Sequence, residues 1–165
     1  MTETVATETV VEFELNGQNH YDAAVPTNVT LAEYLHKTCG LDGARIGCSR
    51  GVCGACTVLI DGRPVAACST FTFQVDGARV TTIEGLSGGE QPNAIQQAFI
   101  DNAAFQCGYC TAGMILITTA LLTHHPSPNR GTIVDWISSN VCRCAGYPQI
   151  IAAVEDAARR LREAK

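Results

Sequence analysis

The sequence lacks an excess of basic charge and lacks any long apolar run. Its 165 residues include 11 basic and 16 acidic side chains, which give a formal charge of −5 at pH 7. Domains that bind nucleic acid need a basic face, so this charge gives no reason to expect a nucleic-acid partner. No apolar run approaches the length of a membrane-spanning helix. We therefore expect no nucleic-acid partner and no membrane span.

Motifs for catalysis and for export are missing as well. No GxGxxG and no P-loop is present to hold a nucleotide, and no order of serine, histidine and aspartate indicates a nucleophile. The chain opens without a twin-arginine motif or a charged-then-apolar signal pattern. We expect a cytoplasmic chain with no catalytic residue of its own.

Cysteine is abundant. Nine cysteines occur in a chain that is 46% hydrophobic and 16% charged, which is a globular composition. An odd count and the absence of a secretory signal argue against a disulfide framework. In a reducing cytoplasm, cysteines at this density indicate metal ligands more often than disulfides.

The first cysteine motif begins at Cys48. Cys48, Cys53 and Cys56 follow the spacing C-x4-C-x2-C, and Cys68 lies farther along the chain. This is the spacing of a plant-type [2Fe-2S] site. Such a cluster with four thiolates is an anion, so the loop must direct backbone N–H groups inward, and glycine permits this. The glycines of the loop are Gly47, Gly51 and Gly54. A four-thiolate structural zinc site is the alternative.

Residues 1–86 have the pattern of a small α+β domain. Apolar and polar residues alternate over residues 10–15, Asn16-Gly17 predicts a hairpin turn, and a second strand fits residues 18–25. A helix is predicted to open at Thr30 with a capping box to Glu33. A second hairpin signal is Asp61-Gly62, and further strands are predicted at residues 57–60, 65–68 and 79–83.

The period of the apolar pattern changes after a predicted linker, Ser87 to Pro92. Four apolar stripes at helical spacing follow, with short breaks between them, and they predict a four-helix bundle over residues 87–165. The third stripe includes Val141, and Thr132 with Asp135 predicts the capping box of that helix.

The second cysteine motif lies in two of these breaks. Cys107 and Cys110 form one pair, Cys142 and Cys144 form the other, and each pair directly precedes a predicted helix. Helix N-termini favour an anionic cluster because their N–H groups are unpaired. In an antiparallel bundle the two breaks fall at the same end, so the four thiolates can converge. Structural zinc is again the alternative.

The two motifs together closely resemble the iron–sulfur subunit of the xanthine oxidase, or molybdenum hydroxylase, family. The resemblance rests on three segments: residues 47–58, 106–111 and 140–147. It covers essentially the whole chain after residue 10. The chain departs from the family pattern at Ala112, where proline is common, and at Ala145, where threonine is common.

The resemblance implies a fold and a set of ligands. The fold is a β-grasp, plant-type ferredoxin-like domain over residues 1–86, followed by an all-α four-helix-bundle domain over residues 87–165, each with a [2Fe-2S] cluster. The implied ligands are Cys48, Cys53, Cys56 and Cys68 for one cluster, and Cys107, Cys110, Cys142 and Cys144 for the other.

The resemblance also implies a function in electron transfer and a set of partners. Electrons would pass from a molybdenum–pterin cofactor on a large subunit, through the two clusters, to FAD on a medium subunit. Gln106 would contact the pterin, and Cys144 would lie beside it. The assembly would be a dimer of heterotrimers, and its substrate would be chosen by the large subunit. Some apolar surface of this chain should then be exposed when it is alone.

Two other functions are compatible with the residues. One is a free-standing electron carrier that has two clusters and no partner subunits. The other is a zinc-stabilised interaction module with no redox role. Cys39, which lies outside both motifs, is predicted to be a small buried residue. Tyr109 is predicted either to shield a cluster or simply to pack.

Overall fold

The computed structural model of the chain describes residues 7–87 and 91–164. The start of the predicted first domain and the middle of the predicted linker lie outside these residues. The strands and the helix of the first part are β1 Glu8–Leu15, β2 Gln18–Pro26, α1 Leu31–Lys37, β3 Thr57–Ile60, β4 Arg63–Ala66 and β5 Arg79–Thr81. The helices of the second part are α2 Ala94–Asp101, α3 Thr111–His124, α4 Arg130–Ile137 and α5 Tyr147–Glu163. Short 3-10 helices lie at Ala67–Ser69, Thr72–Val75 and Ile83–Gly85.

The five strands form one mixed sheet in the order β2-β1-β5-β3-β4. β1 pairs antiparallel with β2 and parallel with β5, and β3 pairs antiparallel with both β4 and β5. Both predicted hairpin turns are confirmed. Asn16 and Gly17 have φ of 52° and 80°, and Asp61 and Gly62 have φ of 49° and 78°. Two successive positive φ values give the turn the twist that the flanking strands require.

Helix α1 begins as predicted. The Thr30 side chain accepts a hydrogen bond from the Glu33 N–H, and the Glu33 carboxylate accepts one from the Thr30 N–H. Leu31 and Leu35 of this helix are fully buried in the core beneath the sheet. This core ends against the loop that carries the first cysteine motif.

The four helices α2 to α5 share a second core, which includes Phe99, Met114, Ile133 and Val154. Two local predictions in this part are wrong. Helix α4 is capped by Asn129, whose side chain accepts from the Thr132 N–H, so Thr132 lies inside the helix. The reason is that the side-chain oxygen of Asn129, three residues before Thr132, already caps the helix.

The other correction concerns Val141, which is not part of the apolar stripe of α4. The helix ends at Ile137, and the side chain of Val141 is 46% exposed. Its backbone instead belongs to the turn before Cys142.

Helix α3 connects the two parts of the structure. Nine of its residues are buried, because one side packs on the other helices and the other side packs on the sheet. Leu116 and Ala120 of α3 form a small common core with Leu59 of β3. The position of Cys107 and Cys110, directly before α3, is therefore held relative to the sheet. No helix in residues 7–87 and 91–164 is long and apolar enough to cross a membrane.

Candidate functional site

The loop between α1 and β3 wraps around the Sγ atom of Cys48. The backbone N–H groups of Arg50, Val52 and Cys53 point at this sulfur, with N···Sγ distances of 3.4, 3.4 and 3.5 Å. Ser49 and Gly51 adopt positive φ to turn these groups inward. The donors, that of Cys53 first, lower the pKa of the Cys48 thiol to about 6. The loop thus stabilises a thiolate.

Cys56 and Cys68 form the buried side of the same site. The Cys68 N–H donates to Cys56 Sγ at 3.4 Å, and the Gly51 N–H donates to Cys68 Sγ at 3.3 Å. Burial raises the pKa of Cys56 to about 12, because a thiolate in an apolar setting is poorly solvated. This thiol therefore ionises at neutral pH only beside a cation, such as a bound metal.

The cysteines of the second motif come from two distant turns of the chain. Cys107 and Cys110 lie between α2 and α3, and Cys142 and Cys144 lie between α4 and α5. The Cys144 side chain influences the pKa of Cys107, and the Cys142 side chain influences that of Cys110, so each of these two pairs is close in space. Burial raises the pKa of Cys110 to about 12, whereas the Tyr109 N–H lowers that of Cys107.

The N-terminus of α5 contributes a donor to this second group. The Gly146 N–H, at the N-cap of the helix, points at Cys142 Sγ with an N···Sγ distance of 3.3 Å. No side chain caps α5 or α3, whose N-cap is Cys110 itself. The positive end of α5 is thus directed at sulfur, which favours an anionic group.

The eight thiols meet as four pairs. Within the first group, Cys53 acts on the pKa of Cys48 and Cys68 acts on that of Cys56, and the backbone N–H groups of Cys53 and Cys68 point at the sulfurs of Cys48 and Cys56. The second group pairs Cys107 with Cys144 and Cys110 with Cys142. Two thiolates for each of two irons is the donor set of an all-cysteine [2Fe-2S] cluster, so the residues fit that cofactor. In the part of the chain that is described, no three His, Cys, Asp or Glu side chains are grouped to hold a single metal ion.

The two groups of cysteines are neighbours in space. A cavity of about 240 Å³ lies between them, and its lining includes Cys53 of the first group and Cys107 and Cys110 of the second. The backbone N–H of Val141 donates to the carbonyl oxygen of Cys53 at 2.9 Å. One hydrogen bond therefore joins the backbone of the first group to the residue before Cys142.

Tyr109 also spans the two groups. Its hydroxyl donates to the carbonyl oxygen of Ile46 at 3.0 Å, and the Arg45 guanidinium lies 5.5 Å from the centre of its ring. A Cβ atom on Gly47 would lie 3.5 Å from the ring and 3.1 Å from Cys53 Sγ. Tyr109 thus packs against the first loop although it belongs to the second motif.

Gln106 lies at the surface beside the second group. Its side-chain amide donates to the carbonyl oxygen of Cys144 at 3.3 Å. The two residues for which the resemblance implies a pterin contact are therefore adjacent. Cys39 is apart from both groups, half-buried, with its Sγ 3.9 Å from His20 Nε2, and burial raises its pKa.

Three residues that hold the site together were given no role of their own from the sequence. They are Gly113, Asn140 and Tyr147. A glycine in the first turn of an otherwise apolar helix was a signal for Gly113, because glycine weakens a helix and is kept where another backbone approaches. Asn140 and Tyr147 belong to the segment 140–147 that carries the family resemblance, but their contacts had no local signal because their partners are set by the tertiary structure.

Known protein families match both parts of the chain. A 2Fe-2S iron-sulfur cluster binding domain matches residues 42–106, and a [2Fe-2S] binding domain matches residues 82–155. The small subunit of nicotine 6-hydroxylase from Paenarthrobacter nicotinovorans is 43% identical over 147 residues, which cover 89% of this chain and 88% of the relative. The small FeS subunit of nicotinate dehydrogenase from Eubacterium barkeri is 41% identical and covers 91% of this chain and 95% of the relative.

A solved structure shows the same fold. A chain of quinoline 2-oxidoreductase from Pseudomonas putida 86 superposes with a TM-score of 0.90 and 40% sequence identity, over 94% of this chain and 97% of that one. The likeness therefore extends over the segments that carry both cysteine groups.

Proposed function

The chain belongs to the iron–sulfur subunits of the xanthine oxidase, or molybdenum hydroxylase, family, and we propose that its eight paired cysteines are the ligands of two [2Fe-2S] clusters. It is the electron-transfer part of an oxidoreductase complex and has no bond-making site. The clusters supply one-electron centres when they are bound. The relatives are named as subunits, so the free-standing carrier is not favoured.

The observation that carries this proposal is the arrangement of the thiols in pairs. Each group has one thiol whose pKa is lowered by backbone N–H donors, Cys48 and Cys107, and one thiol whose pKa is raised by burial, Cys56 and Cys110. The donors stabilise negative charge on sulfur, and the buried thiols require a cation in order to ionise. An iron–sulfur cluster meets both requirements.

We further propose which surface faces which partner. Around the second group the exposed apolar side chains are Phe105, Tyr109 and Val141. Near the first group they are Val52, Phe71 and Phe73, the last two stacked with ring centres 5.8 Å apart. The large molybdenum–pterin subunit would cover the second group, where Gln106 and Cys144 meet, and the medium FAD subunit would cover the first. Such patches are typical of protein–protein interfaces.

Several finer features belong to the same proposal. The domain boundary would fall between residues 86 and 87, the four helices α2 to α5 would form a bundle, and the first domain would be a β-grasp. The complex would be a dimer of heterotrimers in the cytoplasm. The two cores on either side of α3 support the division into a sheet part and a helical part.

The test is low-temperature EPR of the anaerobically reduced full chain, with iron and zinc measured in the same sample. We expect two distinct S = 1/2 signals and about four irons per chain, two for each cluster. One signal with bound zinc would leave the redox role to a single group of cysteines. Zinc alone, with no signal, would overturn the proposal.

A further inference from the structure

The inference concerns Asn140, a buried polar residue between the two groups of cysteines, and it rests on the proposed function. Its side chain is 2% exposed and lies two residues before Cys142. Its amide donates to the carbonyl oxygen of Gly54, next to Cys53, with an N···O distance of 3.1 Å. A buried amide is tolerated where its hydrogen bond is made. The Gly54 carbonyl oxygen also accepts from the Thr57 N–H at 3.1 Å and from the Thr57 hydroxyl at 2.7 Å, so Asn140 is the donor that ties this oxygen to the second motif.

The contact between Asn140 and Gly54 leaves no room for a Cβ atom at two glycines, Gly54 and Gly113. Gly54 has a φ of +69°, and a Cβ atom there would lie 1.8 Å from Asn140 Oδ1. A Cβ atom on Gly113, in the first turn of α3, would lie 2.3 Å from the Gly54 carbonyl oxygen and 2.9 Å from Asn140 Nδ2. The first loop, the turn before α5 and the start of α3 therefore meet at a single point. We name Gly54, Gly113 and Asn140 the amide clasp.

The turn that carries Asn140 is also held by the side chain of Tyr147. The Tyr147 hydroxyl donates to the Asn140 carbonyl oxygen at 3.1 Å and accepts from the Cys142 N–H at 2.9 Å. The next N–H, that of Val141, donates to Cys53. Each of the three residues from 140 to 142 is thus held by a hydrogen bond, and two of these partners lie in the first loop.

We propose that Asn140 is a positioning residue that sets the distance and orientation between the two cluster sites. The clasp fixes Gly54 against the start of α3, and so supports the Val141–Cys53 hydrogen bond, which is one of the links between the ligand-bearing loops. Electronic coupling between two redox sites falls steeply with distance and is carried better by bonded contacts than across a gap. Loosening the clasp would weaken the coupling while leaving all eight cysteines in place.

The experiment compares Asn140→Ala with the wild type as the full chain with its iron restored. Low-temperature EPR of the fully reduced protein measures the splitting that each S = 1/2 centre imposes on the other, and stepwise reduction measures the two midpoint potentials. We expect Asn140→Ala to keep both signals and its iron but to show a reduced splitting. Unchanged splitting with both signals present would overturn the proposal. If the wild type lacks two signals, the failure lies in the proposed function and not in the clasp.

Two further variants separate positioning from stability. Asn129→Ala removes the cap of α4, at the far end of the helix that leads to Asn140, so it should lower the melting temperature without changing the splitting. Asn140→Leu keeps the branched shape of the side chain, with larger methyl groups, but cannot donate to Gly54, and it should reduce the splitting as Asn140→Ala does. Loss of the second signal in both Asn140 variants would assign the residue to cluster assembly and would overturn the positioning role.

Discussion

The backbone N–H of Val141 lies 2.9 Å from the carbonyl oxygen of Cys53 and donates a hydrogen bond to it. These two residues belong to different cysteine motifs and to different halves of the chain. Cys53 is itself a proposed ligand, and Val141 directly precedes the proposed ligand Cys142. The two proposed cluster sites are therefore in direct contact and do not lie on independent domains. Their relative placement is part of the fold, and α3 reinforces it by packing on both the helices and the sheet.

Replacement of a proposed ligand should remove one cluster and spare the other. Cys68→Ser should lose about half of the bound iron and the EPR signal of the first site, because one of four thiolates is missing. Cys39→Ser is the matched control, since Cys39 is half-buried and lies outside both groups. We expect full iron content in Cys39→Ser. A normal first signal in Cys68→Ser would exclude Cys68 as a ligand.

A methyl group at Gly54 should be far more disruptive than one at Gly62. Both glycines have positive φ, +69° and +78°, so alanine is strained at either position by about 1–2 kcal/mol. Only at Gly54 would the new Cβ meet another atom, Asn140 Oδ1, whereas nothing lies within 4 Å at Gly62. Urea unfolding should show a larger loss of unfolding free energy for Gly54→Ala. Equal losses of unfolding free energy in Gly54→Ala and Gly62→Ala would mean that the Asn140 side chain moves away from the new Cβ atom at no cost.

Asp156 should stabilise the contact between α2 and α5. Its carboxylate binds Arg160 at 2.7 Å, and Arg160 also binds Asp101 of α2 at 2.6 Å. Asp156→Asn should lower the free energy of unfolding by about 1 kcal/mol or less at pH 7, the scale of an ion pair near the surface. Asp135→Asn is the control, because among the described residues the Asp135 carboxylate makes no ion pair, and it should change little.

The contribution of the Asp156–Arg160 ion pair to the free energy of unfolding depends on pH. The hydrogen bond from Arg160 lowers the pKa of Asp156 below its usual value of 3.8. A lowered pKa in the folded state adds stability above the unfolded value and loses it as the pH falls through the folded value. The gap in unfolding free energy between wild type and Asp156→Asn should therefore be constant near neutral pH and narrow below pH 3.8. A gap that widens on acidification would contradict this assignment.

Phe105 should contribute to binding of the large subunit. It is 46% exposed, directly before Gln106 and Cys107, so its ring is available to a partner that covers the second site. Phe105→Ser should weaken the affinity for that subunit about tenfold or more, as for a buried aromatic anchor. Tyr21→Ser is the control, because Tyr21 is 63% exposed on β2 at the edge of the sheet. Equal affinities for the wild type and Phe105→Ser would move the interface elsewhere.

The local features of this protein were predictable from its sequence because local chemistry sets them. The turns at Asn16-Gly17 and Asp61-Gly62 need two residues that tolerate positive φ, and the Thr30 cap needs an oxygen and a glutamate three residues later. The spacing of Cys48, Cys53 and Cys56 likewise sets how a loop can surround a cluster. These elements involve short stretches of chain, so few alternatives compete.

The features that were predicted wrongly, or that had no signal in the sequence, depend on the tertiary structure. Thr132 has the residues of a capping box, yet Asn129 caps α4 because the preceding turn brings its oxygen into place. Val141 fits an apolar stripe, but it lies beyond the end of α4 and its backbone N–H donates to the carbonyl oxygen of Cys53.

The sequence alone determined that eight cysteines occur in two sets with metal-ligand spacing, and that sheet and helices occupy opposite ends of the chain. Only the tertiary structure decided which thiols pair, and that Asn140, Gly54 and Gly113 meet between the two groups. The physical reason is that spacing constrains a loop, whereas a contact between distant loops depends on how α3 packs against both cores.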